Sequence, residues 1–176
     1  MAHLTFNQAG EGETLHVAAS TMLMVEATWT RDAYCIMEQI IPPELVAPVH
    51  SHADEDQVLW VLEGSLVLWA DGEEVQLDAG GVALRPAGIP HSMWNATASS
   101  ARILEITSPA PRFQAYMRAV SALRETDQAT ESRVREVADQ HGMTFYPDKT
   151  AEIVARTGLS TTGGFWTASD TTEDRS

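Results

Sequence analysis

The sequence predicts an all-β fold, an antiparallel sandwich or closed barrel, with helices added after it. Three observations carry this. Short runs rich in β-branched and aromatic residues follow one another between residues 14 and 107. Turn-forming groups punctuate them (Glu63-Gly64, Ala70-Asp71-Gly72 and Ala79-Gly80-Gly81), and Gly and Asp tolerate the positive φ of hairpin turns. After Pro109-Ala-Pro111 the apolar period lengthens from two to three and four, so the β region is expected to end there.

Taken in order, residues 14–18 read as an edge strand. Residues 21–41 read as two strands broken at Thr30-Arg31-Asp32 and stopped by Pro42-Pro43, which lack the N–H a ladder needs. Strand signals follow at 47–50, 57–62, 65–70, 74–77, 81–85, 91–95 and 102–107. Phe113, Tyr116, Met117, Val120 and Leu123 then share one face of a helix. A second helix is expected over 130–140, with Gly142 past its end, and a third over 148–156, closed by Gly158. This divides the chain into a β-barrel over 1–110, a helical extension over 111–158 packing on it, and a polar tail over 159–176. The tail is expected to be flexible apart from Phe165-Trp166, adjacent aromatics suited to docking.

The chain has 176 residues, 44% hydrophobic and 20% charged, as in an ordinary globular domain. Eleven basic against 25 acidic residues give a net charge of −14, which opposes binding to nucleic acid or to an anionic membrane. No apolar run approaches the roughly 18 residues of a membrane span, and no basic stretch leads into an apolar core at the start, so a cytoplasmic protein is expected. The single cysteine, Cys35, sits in an apolar strand-like run and reads as a small buried hydrophobe.

The chemistry concentrates in two stretches. His50 and His52 flank one residue at the start of a strand signal. Alternation points both the same way, about 6.6 Å apart along an extended chain, a spacing suited to two imidazoles on one metal. Residues 80–95 then carry Gly80, Pro86, Gly88, His91 and Asn95, a turn that delivers a third histidine. His3, His16 and His141 lie outside both stretches and read as surface or structural histidines.

Together these stretches resemble the two motifs of the cupins. The first, His-x-His-x4-ligand-x6-Gly, is met by His50, His52, Gln57 and Gly64; the second is met by Gly80, Pro86, Gly88, His91 and Asn95. Residues 65–79 form the short spacer of a microbial single-domain member. The resemblance covers about residues 33–108. It implies a jelly-roll barrel (a double-stranded β-helix) with one divalent metal (Fe, Ni, Mn, Cu or Zn) held by His50, His52, Gln57 and His91. The sequence departs from the family where glutamate is usual and Gln57 stands instead. An amide oxygen ligates without negative charge and does not act as a general base, so the metal is left a stronger Lewis acid. Asp54 or Glu55, in the turn, would be the substitutes as ligand. Glu105 on the last strand is the candidate base, and Gln57 is counted with it as a catalytic residue.

By strand alternation, Met37, Gln39, Leu59, Val61 and Met93 are expected to line a substrate pocket. Arg85 and Arg102 read as outward-facing. The layout looks most like quercetinase-type dioxygenases, which implies an O2-dependent C–C cleavage of a small enolic, aromatic or polyketide-like molecule. Related cupins act as isomerases, lyases and cyclases, some with glutamine at the fourth position and one on unsaturated uronates, and others only bind ligands. A homodimer is expected, with the N-terminal strand and the aromatic tail contributing.

Overall fold

A computed structural model of the protein describes residues 4–161. In chain order its elements are β1 (Glu13–His16), β2 (Ser20–Val25), β3 (Cys35–Ile41), β4 (Leu45–Val46), β5 (His50–His52), β6 (Asp56–Glu63) and β7 (Ser65–Ala70). There follow β8 (Glu73–Asp78), β9 (Val82–Arg85), β10 (His91–Trp94), β11 (Ala101–Ser108), α1 (Pro111–Glu125), α2 (Glu131–Gln140), β12 (Met143–Phe145), α3 (Pro147–Thr157) and β13 (Ser160–Thr161). One sheet runs β1-β2-β3-β11-β6-β9; the other runs β12-β5-β10-β4-β13, with β7 also on β10 and β8 on β7. The two sheets enclose the core as a jelly roll.

Alternation decides which side chains face inward. Along β3 the buried positions are Cys35, Met37, Gln39 and Ile41; along β11 they are Ala101, Ile103, Glu105 and Thr107. On β6 they are Gln57, Leu59 and Val61. Directly opposed residues of an antiparallel pair share a face. The register sets Glu105 opposite Met37 on one side and Leu59 on the other, and Gln57 opposite Thr107 and Arg85. Polar side chains from three adjacent strands therefore meet inside the barrel. Gly64 makes the turn after β6 with φ +78, and a Cβ there would lie 3.0 Å from the Ala101 backbone, so glycine is required twice over.

The segment expected as one strand over 47–50 is split. β4 ends at Val46, and β5 starts only at His50, beyond the imino ring of Pro48. β10 bridges the break, pairing Trp94 with Val46 and His91 with His50.

The three helices form where the apolar period indicated, but residues 111–161 also supply strands. Met143–Phe145 pairs antiparallel with β5, and Ser160–Thr161 runs parallel to β4. Runs of two or three residues show no periodicity, so neither is visible in sequence. α1 starts on Pro111, whose fixed φ suits a first turn, and α2 is capped by the Thr130 hydroxyl accepting from the Arg133 N–H at 3.3 Å. Phe113, Tyr116, Met117 and Val120 of α1 pack in one cluster with Leu15, Leu23, Met37 and Met143. Phe165-Trp166 lies outside the described residues.

Candidate metal centre

His50 and His52 alternate along β5, and His91 is the direct partner of His50 on β10. A donor nitrogen from each lies within 4.8 Å of the others, with ring centroids 4.5 to 5.5 Å apart. Local bonds fix the tautomer. His50 Nδ1 donates to the Pro48 carbonyl at 2.7 Å, and His91 Nδ1 donates to the Ile89 carbonyl at 2.9 Å. A carbonyl only accepts, so Nδ1 carries the proton and Nε2 keeps its lone pair. Burial pushes the His50 pKa down to about 3 and that of His52 to about 4, and lowers His91 as well. The rings are neutral at physiological pH, the form that ligates a metal.

His52 Nε2 and His91 Nε2 are buried with no hydrogen-bond partner among the described residues, and so is Gln57 Oε1 on the neighbouring sheet. Buried polar atoms are normally paired. Three neutral imidazoles within 4.8 Å of one another, two of them with a bare Nε2, form the donor set of a mononuclear divalent site. The residues thus fit the metal that the fold implies.

Glu55 and Asp54 take other roles than substitute ligands. Glu55 is buried; its Oε2 lies 3.1 Å from His52 Nδ1, and its Oε1 accepts the Phe113 N–H at 2.7 Å. Burial pushes its pKa up to about 7. It fixes the His52 ring and ties the centre to α1. Asp54 is exposed and pairs with Arg112 at 2.5 Å. Glu55→Gln, which weakens this support, is expected to lower metal affinity about tenfold in a chelator competition. Unchanged affinity would remove Glu55 from the centre. The second motif holds the first in place, since the Gly88 N–H donates to the His52 carbonyl at 2.7 Å. Asn95 is structural: its amide donates to the Ile41 and Ser99 carbonyls.

A cavity of about 140 Å³ opens beside His50. Gln39, Glu105 and Met93 are among the residues that line it. Met37, Leu59 and Val61 are fully buried in the packed core and do not reach it. Phe113, Tyr116, Met117 and Val120 of α1 and Phe145 of β12 cover one side of it. The period of α1 gave its apolar face, but not what that face covers.

Arg85 reverses its sequence reading. It is buried, lines the cavity, and forms an ion pair with Glu105. The register could have revealed this, since a residue opposite an inward Gln57 must point inward too. Arg102 does lie at the outer surface, paired with Glu63 and Glu38. Glu105 Oε1 also receives Gln39 Nε2 at 3.4 Å and Gln57 Nε2 at 3.5 Å.

With fold and site in hand, the chain is seen to carry a cupin domain. The cupin domain model matches residues 37–107. Among solved structures, a predicted oxalate decarboxylase from Thermotoga maritima shares 16% identity at a TM-score of 0.55, covering 60% of this chain and 98% of that one. The polyketide cyclase RemF from Streptomyces resistomycificus shares 18% at 0.54, covering 61% and 80%. KdgF from a Halomonas species shares 14% at 0.53, covering 62% and 97%. These likenesses show the fold. No curated protein matches the chain in sequence. Among the described residues no helix is long and apolar enough to cross a membrane.

Proposed function

We propose that the protein is a metal-dependent cupin enzyme that deprotonates a small enolisable carbonyl compound, such as a β-dicarbonyl with an apolar body. The observation that carries this is a carboxylate, Glu105, lining an apolar cavity that also borders His50 of the donor set. His50, His52, His91 and Gln57 would hold the metal, which supplies Lewis-acid polarisation of a substrate carbonyl. Glu105 accepts the acidic proton. Its carboxylate receives three donors, from Arg85, Gln39 and Gln57, which leaves acceptor capacity for one more. Phe113, Tyr116, Met117 and Phe145 exclude water from the resulting enolate.

Size narrows the substrate. An engineered cavity of about 150 Å³ takes benzene, so one ring or an acyclic diketone matches this space better than a three-ring flavonol. A neutral fourth donor suits a non-redox outcome, reprotonation or ring closure, the chemistry named for the cyclase of the same fold. The dry wall around His50 favours a second reading, O2-dependent cleavage of the enolate, as in the quercetinase-type dioxygenases. Acetylacetone and a one-ring aryl β-diketone should be incubated with protein loaded with Fe, Ni, Mn or Zn. Metal-dependent product without O2 supports the first reading, and stoichiometric O2 uptake supports the second. Protein that neither turns over these diketones nor shifts their enolate absorbance would refute both.

We further propose a homodimer. Ile40, Trp60, Val82 and Leu84 are 43% to 61% exposed on the outer face of the first sheet, with Trp60 opposite Val82 in register. Arg102 and its partners Glu38 and Glu63 rim this patch with both signs of charge, suiting a second copy of the same face. Sedimentation should give twice 19.2 kDa for the wild type and a monomer for Trp60→Glu. A monomeric wild type would end the proposal.

A further inference from the structure

Resting on the metal-binding reading above, we infer that the carboxylate this centre lacks at Gln57 has moved one layer outward to Glu105, which acts on the metal through the Gln57 amide. Three observations support it. Gln57 Nε2 faces two acceptors, Glu105 Oε1 at 3.5 Å and Thr107 Oγ1 at 3.4 Å, while Oε1 is buried with no partner among the described residues. Reversing the amide would press its oxygen against a carboxylate, so the network holds Nε2 on Glu105 and turns Oε1 away from it. A core glutamine with only a packing role would not keep its acceptor bare.

The second observation is the placement of charge. Glu105 and Arg85 line the same cavity as His50 of the donor set. The third is the register: Arg85 lies directly across from Gln57 while its guanidinium pairs with Glu105. An arginine at that point serves a carboxylate on either strand. The polar group is therefore built to hold one negative charge behind the ligand. Glu105 is a positioning residue for the Gln57 ligand, and the separation leaves its carboxylate uncoordinated and facing the cavity.

Relocation has a signature that simple structural support lacks: the charge should be transferable. Cobalt(II) affinity, measured by calorimetry and by the ligand-field absorption of the bound ion, should fall tenfold or more in Glu105→Gln. In Q57E/E105Q, where the charge sits on the ligand and Arg85 faces it, affinity should return to within threefold of wild type. Removing Glu105 should thus cost tenfold in the wild-type background and less than twofold in the Q57E background. Equal losses in both backgrounds, or no loss in either, would overturn the inference while leaving the metal site standing. Wild-type protein that binds no cobalt would overturn the metal reading and the inference with it. If Glu105→Gln does not fold, R85Q/E105Q, which buries no lone charge, takes its place: cobalt affinity tenfold or more below that of Q57E/E105Q supports the inference, and equal affinity overturns it.

Discussion

Replacing His91 by alanine is expected to abolish tight metal binding while the protein still folds. The ring is buried, its Nδ1 is committed to the Ile89 carbonyl, and its Nε2 has no partner among the described residues. Its removal thus costs one local hydrogen bond, about 1 kcal/mol, and the packing of a small aromatic. The same removal takes away one of three imidazoles, and the two that remain on β5 form a weaker bidentate site. Metal affinity should fall by three orders of magnitude or more, whereas urea denaturation of the metal-free protein should shift by no more than about 3 kcal/mol. The wild type should also gain stability on metal addition, since a ligand that binds only the folded state stabilises it by mass action. His91→Ala should lose that gain. A variant that still gains stability with metal would place the ion elsewhere.

The second large effect concerns the buried ion pair. Arg85 and Glu105 are each 4% exposed by side chain. Arg85→Met leaves the Glu105 carboxylate in the barrel without its guanidinium, and breaking such a pair typically costs about 3–5 kcal/mol. Removing both partners in R85M/E105L should recover most of that loss, because two apolar side chains pack where two charges had to be desolvated. Urea unfolding of the two variants and the wild type, all metal-free, checks this. If Arg85→Met were as stable as the wild type, the carboxylate would have another way of being compensated, and the pair would not organise the cavity.

These effects trace to residues that differ in how visible they are in sequence. The three histidines were legible because strand alternation and the second turn both act locally, and the ladder only had to join His50 to His91. The jelly roll was legible from the same spacing of short strands. Gln57 stood out as a departure, and Glu105 as an inward polar position on β11. Arg85 was hidden because its direction depends on the β6–β9 register, a non-local fact. Glu55 was hidden because a turn residue buries its carboxylate only when α1 supplies the Phe113 N–H. The expected pocket residues divide for a related reason: alternation tells inside from outside, but not which inside positions meet solid core. Met37, Leu59 and Val61 meet core, while Gln39 and Met93 reach the space that α1 and β12 enclose.

Burial also separates the one thiol from the chemistry. Cys35 is buried, and desolvation pushes its pKa up to about 12. It stays a protonated thiol, too weak a nucleophile or metal ligand to compete with the imidazoles.

X-ray absorption of the cobalt- or zinc-loaded protein tests the central claim most directly, because outer-shell scattering counts imidazoles. The geometry predicts three imidazoles with nitrogen and oxygen donors and no sulfur, falling to two imidazoles in His91→Ala. A wild-type spectrum with one imidazole, or with sulfur in the shell, would contradict it.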